Sequence, residues 1–339
     1  MLLDLDVQIN NAKELVIDSF NMVDQTILNC VSNNNSNLIG AINAYIESNS
    51  GKKLRPLLLL LSAYATDNLK KNHNNYINLA AATELIHVAS LLHDDVLDNS
   101  LKRRNKGTIN ADFDNKYAIL AGDFLFGKAF KLITTIDSSY NNHITSLVAS
   151  TTNLMVEGEI LQLLEKYNFN INQNKYLQII TAKTAELFLM SMQLPTILNC
   201  NNVAEKFLTE CGMNLGIAYQ LLNDVFDYYK YGHDTIDGII TLPVIFLLNC
   251  TNTSINTKKK IINIIKKQAN LDYCQQLTQL NLLKNILLNN GGFDYTINLA
   301  KQYLTKSKIA IKALTTSKYQ QAILQLIDCL LAYQLPNNE

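Results

Sequence analysis

The period of the apolar residues limits the fold more than any other feature of this chain. Val16, Phe20, Val23 and Ile27 step by four, three and four, and Ile323, Ile327 and Leu330 repeat the pattern near the other end. That spacing lines one face of an α-helix. No stretch sustains the period-two alternation of a half-buried strand, and only 4 prolines and 12 glycines interrupt the 339 residues. Asparagine does the punctuating instead, in clusters at 33–37, 72–75, 168–174, 199–202, 249–257 and 289–292. Its side chain bonds nearby backbone and tolerates left-handed conformations, so these clusters predict turns. They divide the chain into roughly ten or more helices. With no linker-like stretch and no repeat of fixed length, the expectation is a single all-α domain over residues 1–339.

Charge excludes some partners. Lysine and arginine total 29 and aspartate and glutamate 29, so no global attraction to nucleic acid or an acidic membrane is expected. The lysine-rich segment "TKKKIINIIKK" (257–267) reads as a solvated helix face, since no aromatic residues accompany it to stack bases. No apolar run approaches the roughly 18 residues of a membrane span. The first residues, "MLLDLDVQINNAKELV", carry acids early and no basic region, so no signal peptide is expected. Six scattered cysteines without a C-x-x-C pair read as free thiols of a cytoplasmic protein.

Two acidic islands interrupt this apolar pattern. "HVASLLHDDVLDNS" (87–100) sets Asp94, Asp95 and Asp98 adjacent or four apart, a spacing predicted to lean them towards one side of a helix. In "GIAYQLLNDVFDYY" (216–229), Gln220, Asp224 and Asp227 step by four and three, with Asn223 expected on the same face. One such cluster alone reads as a helix end or a surface patch. Two, each embedded in an apolar helix, need cations, because unpaired carboxylates are costly to take from water. Oxygen-only ligands at this spacing suit Mg²⁺, which binds through a few carboxylates plus substrate phosphates.

Basic residues point to those phosphates. "SGKKLRP" (50–56) places Lys52, Lys53 and Arg55 just before Pro56, a good first residue for the helix that follows. A helix start with cations around it is a ready anion site; read alone, the segment is equally a solvated basic loop. His87 lies seven residues before Asp94, hence on the same helical face, as a core residue or a phosphate donor. Arg103 and Arg104 follow Asp98 closely enough to grip an anion.

Taken in order, these segments resemble those of the trans-isoprenyl diphosphate synthases of the polyprenyl synthetase family, over nearly the whole chain. "GKKLRP" resembles the family's G-K-R-x-R-P segment, "LLHDDVLD" its first aspartate-rich motif and "LLNDVFD" its second. "RRNKGTIN" (103–110), "LAGDFLFGKAF" (120–130), "VEGEILQL" (156–163), "KTAEL" (183–187) and "TLP" (241–243) fall in family order. The resemblance implies a large helical bundle around a deep central cavity, isoprenoid synthase-like and usually a homodimer. It implies a Mg²⁺-dependent prenyltransferase that joins an allylic diphosphate, such as farnesyl diphosphate, to successive isopentenyl diphosphates. Asp94 and Asp98 match metal ligands of the first motif, with Asp95 supporting, and Asn223, Asp224 and Asp227 match those of the second. Lys52, Arg55, His87 and Arg104 match the isopentenyl diphosphate pocket, while Arg103, Lys183, Thr184 and Gln220 match contacts to the allylic diphosphate. Thr184 and Gln220 also offer dipoles to a transient cation.

Ala89 and Ser90 stand where a bulky residue blocks the growing tail in short-chain members, so the resemblance is to long-chain, octaprenyl-forming enzymes that supply quinone side chains. On this reading Ala89→Phe shortens the product, with Phe126 or Phe130 as the tunnel floor or as ordinary core. Departures cluster at the second motif. Asn223 replaces an aspartate, Ile239 a phosphate-facing lysine for which Lys230 is a possible stand-in, and the loop after Asp227 is short; elsewhere Asn105 replaces a glycine and Pro195 a small residue. These departures keep open a weakened or non-catalytic subunit of a heteromeric synthase. A terpene cyclase wants Ser or Thr, then Glu, where Asp227 and Tyr231 stand.

Overall fold

The computed structural model describes residues 2–31, 37–49, 51–66, 72–104, 106–136, 139–230, 232–268 and 271–335. Asn105, Tyr231 and most of the first asparagine cluster lie outside the described residues. The rest is helical, as the apolar period requires. The chain runs through α1 (Leu2–Glu14), α2 (Ile17–Val31), α3 (Asn37–Asn49), α4 (Leu54–Thr66) and α5 (His73–Leu97) before its two short strands. Then come β1 (Lys102–Arg103) and β2 (Lys106–Gly107), an antiparallel hairpin in which Lys102 faces Gly107 and Arg103 faces Lys106. Helices α6 (Ile109–Asp112), α7 (Asn115–Thr134), α8 (Asn141–Leu164) and α9 (Gln173–Ile180) follow. A π turn, Thr181–Ala185, joins α9 to α10 (Glu186–Leu198), which leads to α11 (Asn202–Lys230). The last third is α12 (His233–Ile236), α13 (Leu242–Asn249), α14 (Ile255–Gln268), α15 (Tyr273–Asn289), α16 (Gly292–Lys312) and α17 (Lys318–Leu331).

The two acidic islands sit on the two longest helices, α5 with 25 residues and α11 with 29. Helix α5 packs against α2, α4 and α7, and α11 against α10 and α16. Helix α4 is apolar all round: Leu57, Leu58, Leu59, Leu60 and Leu61 are each fully buried. Such a helix is stable only inside a bundle, and each of those leucines contributes about 1.5–3 kcal/mol of burial. Pro56 falls in the first turn of α4 rather than at its first residue, because the first turn's N–H groups have no partner within the helix for proline to remove. Asparagine and aspartate do punctuate the helices. Asn172 accepts from Lys175 N–H at 2.9 Å at the start of α9, and Asp272 forms a capping box with Gln275 on α15. Helix α14 buries Ile261, Ile264 and Ile265 and turns Lys259, Lys260, Lys266 and Lys267 to solvent, as its sequence predicts. Among the described residues no helix is long and apolar enough to cross a membrane.

Candidate active site

Helix α5 delivers a series of polar side chains along one edge, then ends at Asp98, whose backbone N–H closes on the carbonyl of Asp94 at 2.9 Å. The hairpin that follows folds Arg103 and Arg104 back towards the same region. Arg104 lies over the loop before α4 so closely that a Cβ on Gly51 would sit 2.3 Å from its guanidinium, and the φ of +49° at Gly51 favours glycine there. The π turn brings both Lys183 and Thr184 inward, and the close approach of Gly158 on α8 to the Lys183 backbone lets Glu159 pair with the Lys183 ammonium. π turns recur at functional sites because the wider turn re-aims consecutive side chains.

These elements enclose three adjoining cavities. An acidic cavity of about 350 Å³ is bordered by Asp98, Asp224, Asp234 and Asp237. A middle cavity of about 450 Å³ is walled by Ser90, Leu91, Asp94, Phe126, Met155 and Val156. A basic cavity of about 120 Å³ is lined by Lys52, Lys53, Arg55, His87 and Arg104. Arg103, Arg104, Lys183, Thr184 and Gln220 form the partition between the first two, while Arg55, His87 and Arg104 join the middle cavity to the basic one.

Burial sets the electrostatics. It pushes Asp94 up to about 6, though Lys183 pulls it back, and Asp224 up to about 7, though bonds from Tyr176 and Gln220 pull it back. Asp234 is raised well above the carboxylate range by burial and then by Asp227 and Asp224. Burial opposes the charge on Lys183, but Asp94 and Glu159 together hold its ammonium above its ordinary value. Oδ1 of Asp98 is buried with no hydrogen-bond partner, and its nearest ammonium is that of Lys166 at 3.9 Å. This edge therefore holds carboxylate oxygen with unmet bonding capacity beside the cations Lys102, Arg103, Arg104 and Lys183. Among the described residues no three acidic, histidine or cysteine side chains converge tightly enough to hold an ion alone. Its donors, all hard oxygens, fit a cation that completes its shell with water and phosphate oxygen.

A hydrogen-bonded chain crosses the floor. Thr184 Oγ1 donates to Gln220 Oε1 at 3.0 Å, Gln220 Nε2 donates to Asp224 Oδ1 at 2.6 Å, and the Tyr176 hydroxyl donates to the other Asp224 oxygen. The basic side is walled chiefly by cations. His87 is held well below 6.5 by burial and then by Arg55, Arg103 and Arg104, so its ring is neutral. Arg55 stacks 4.7 Å over the Phe188 ring with its Nε buried and unpartnered. Lys52 and Lys53 are paired with Asp6 and Asp24, each at 2.6 Å.

The structure corrects several expectations. Asp95 does not lean with Asp94 and Asp98; it is buried the other way, accepting from Tyr45 at 2.5 Å and from Arg103 Nε at 2.7 Å. Asp227 borders neither of the two larger cavities and accepts from the backbone N–H groups of His233 and Asp234, at 3.3 and 3.2 Å. Asn223 turns to the middle cavity, not to the acidic one with Asp224. Adjacent helical residues point about 100° apart, so neither the 94–95 nor the 223–224 pair can share a direction. Ala89 is fully enclosed and lines none of the three cavities, whereas Ser90 and Phe126 line the middle one and Phe130 does not. Lys230 lies 5.9 Å over the Phe226 ring rather than at the cavity that Ile239 lines. Glu84, Glu159, Asp234 and Asp237 were not anticipated. The run "HDTID" after the second motif is the one signal that could have found the last two.

Comparison with known proteins identifies the family and its fold. Residues 36–280 match the family model described as polyprenyl synthetase. The chain is 33% identical over 329 residues to the octaprenyl diphosphate synthase of Haemophilus influenzae, covering 94% of this chain and 95% of that one. It is 31% identical to a geranyl-diphosphate-specific all-trans-nonaprenyl-diphosphate synthase of Rhodobacter capsulatus, over 92% of this chain and 94% of that one. Among solved structures, a polyprenyl synthase from Caulobacter crescentus complexed with calcium and isoprenyl diphosphate superposes with a TM-score of 0.86. The two are 28% identical, with 96% of this chain and 98% of that one covered.

Proposed function

This chain belongs to the polyprenyl synthetase family, and we propose that it is a long-chain, octaprenyl-range synthase that works with Mg²⁺. As a polyprenyl diphosphate synthase it joins an allylic diphosphate to isopentenyl diphosphate. One observation carries the assignment of roles: an acidic and a basic cavity open on the same middle space and are separated by the cations and dipoles of the partition. The allylic diphosphate belongs beside the carboxylates, the isopentenyl diphosphate in the basic cavity, and the growing tail in the middle one.

Asp94, Asp98 and Asp224 would hold Mg²⁺, which when bound spreads the charge of the departing diphosphate. Calcium in the Caulobacter relative supports a divalent cation at this family's site. Arg103 and Lys183 donate to the oxygens of the leaving group from the partition. Thr184 and Gln220 turn fixed dipoles towards the allylic cation, costing no reorganisation as charge develops. Leu91, Phe126 and Met155 keep water from that cation. The double bond of isopentenyl diphosphate, held by Arg55, His87 and Arg104, attacks the cation, and a proton leaves to the departed diphosphate.

A homodimer completes this reading. Tyr117 and Leu120 on α7, with Val156, Ile160 and Leu164 on α8, leave an apolar row exposed, Leu164 by 74 %. A second copy of the chain would cover that row and close Val156 over the middle cavity. Six free cysteines suit a cytoplasmic setting. The test is to incubate the purified chain with Mg²⁺, farnesyl diphosphate and labelled isopentenyl diphosphate, then size the dephosphorylated products. Octaprenyl alcohol is expected. No elongation by the chain alone would instead point to a non-catalytic subunit of a heteromeric synthase.

A further inference from the structure

Glu84 lies on α5 one turn before His87, and the reaction as described gives it no task. It is 1 % exposed, and its Oε1 is buried without a hydrogen-bond partner. It lines the basic cavity, whose other polar walls are Lys52, Lys53, Arg55, His87, Arg104 and Tyr219. Those walls suit an anion, and an ionised carboxylate is the one group there that an anion repels. The Nε of Arg55, in the same wall, is also buried and unpartnered. A phosphate satisfies both groups only if Arg55 donates an N–H and Glu84 donates an O–H, which requires a protonated carboxyl.

We propose that Glu84 is an acid of the isopentenyl diphosphate site, keeping its proton and sharing it as a hydrogen bond with a phosphate oxygen. The role rests on the assignment of the basic cavity made above. No bond to carbon or phosphorus changes. Where the carboxyl is ionised beforehand, binding draws one proton from solvent. Burial pushes Glu84 up to about 7, while Arg55 and Lys53 pull it down. The titratable and charged groups facing it are Arg55 of α4, Lys53 with Asp24 of α2, Lys13 of α1, Arg104 of the hairpin turn and Tyr219 of α11. His87, on the same helix, is held neutral well below 6.5, so it does not titrate alongside Glu84. A neutral donor suits this half of the site, because the phosphate bound here stays on its carbon and needs holding rather than pulling away.

The test uses isopentenyl diphosphate alone, with no allylic substrate present. Its binding to wild type and to Glu84→Gln is measured by calorimetry from pH 6 to pH 9, in two buffers of different ionisation enthalpy. Glutamine keeps the shape and an N–H donor but has no proton to lose. The ratio of wild-type to variant dissociation constants, in which the ligand's own ionisation cancels, is expected to rise about tenfold per pH unit above pH 7. At pH 8 the wild type takes up more protons per ligand than the variant, approaching one. A flat ratio with equal uptake overturns the role and leaves the substrate assignment standing. Absence of binding to either protein, both folded by circular dichroism, overturns the assignment and the role with it. If the variant does not fold, wild-type difference infrared spectra decide. Binding at pH 8 should raise a protonated-carboxyl band, and no such band refutes the role.

Discussion

The acidic and basic cavities border the same middle space with different balances of charge. Asp98, Asp224, Asp234 and Asp237 gather in the first, facing Lys102, Arg103, Arg104 and Lys183. The second gathers two lysines, two arginines and a neutral histidine around one buried acid. On the proposed assignment, a diphosphate in the first is held with added cations that favour its departure. A diphosphate in the second meets arginines already in place and stays attached. The difference teaches that, on this assignment, carboxylates placed among cations give one ligand group a different fate from cations around a single buried acid.

The largest effect that can break this contrast comes from Asp98→Ala. Losing about 4 kcal/mol of metal-assisted stabilisation lowers kcat roughly a thousandfold while the KM for isopentenyl diphosphate stays put. Single-turnover rates with saturating Mg²⁺ check it, and an equal change in both constants would merge the two cavities' roles. Arg55→Gln should do the reverse, raising that KM about tenfold to a hundredfold with a smaller change in kcat. Steady-state kinetics at fixed allylic diphosphate read it.

The middle space gives a third discriminator. Ser90→Phe places a ring in the cavity and should shorten the product. Ala89→Phe, expected from sequence to do that, should instead overpack the core by about 1–3 kcal/mol, seen as a lowered Tm. Product sizing and thermal melts of both variants separate the positions.

Stability against pH sharpens the contrast further. Asp94 and Asp224 are raised by burial to about 6 and 7, whereas in the unfolded chain both titrate near about 4. Between about pH 4 and 7 the folded state holds more protons at these groups, so they weaken the metal-free chain as pH rises. His87 acts oppositely: its lowered value means stability is gained as pH rises towards about 6.5. Melts of metal-free wild type and Asp224→Asn from pH 5 to 7.5 should show a steeper decline in the wild type than in the variant, which keeps Asp94, by on the order of 2–4 °C. Mg²⁺ should raise the wild-type Tm more at pH 7.5 than at pH 5. The smallest effect expected is from Ile239→Lys, which adds a cation to the acidic cavity and should lower the KM for allylic diphosphate about threefold, roughly 0.6 kcal/mol.

Much of this was legible in the sequence because helices announce themselves through period. The core face of α2, the leucine run of α4 and the acidic positions of α5 and α11 all follow from spacing. The hairpin at Lys102–Gly107 did not, since two-residue strands are too short to show alternation. Periodicity also blurs neighbours: Asp94 and Asp95 look equivalent in a string, and only the built helix turns one to the cavity and the other to Tyr45 and Arg103. Glu84 was hidden for a different reason. An isolated acid in an apolar helix reads as composition until the cations of α4 and the hairpin are folded against it.

The π turn at Thr181–Ala185 has a consequence for how this segment tolerates change. A widened turn amounts to one surplus residue absorbed without unwinding the rod that contains it. Removing that residue should tighten the rod into an ordinary coil and swing Lys183 or Thr184 away from the cavities they line, leaving the flanking segments intact. Length, and not only chemistry, is therefore under constraint in those five positions.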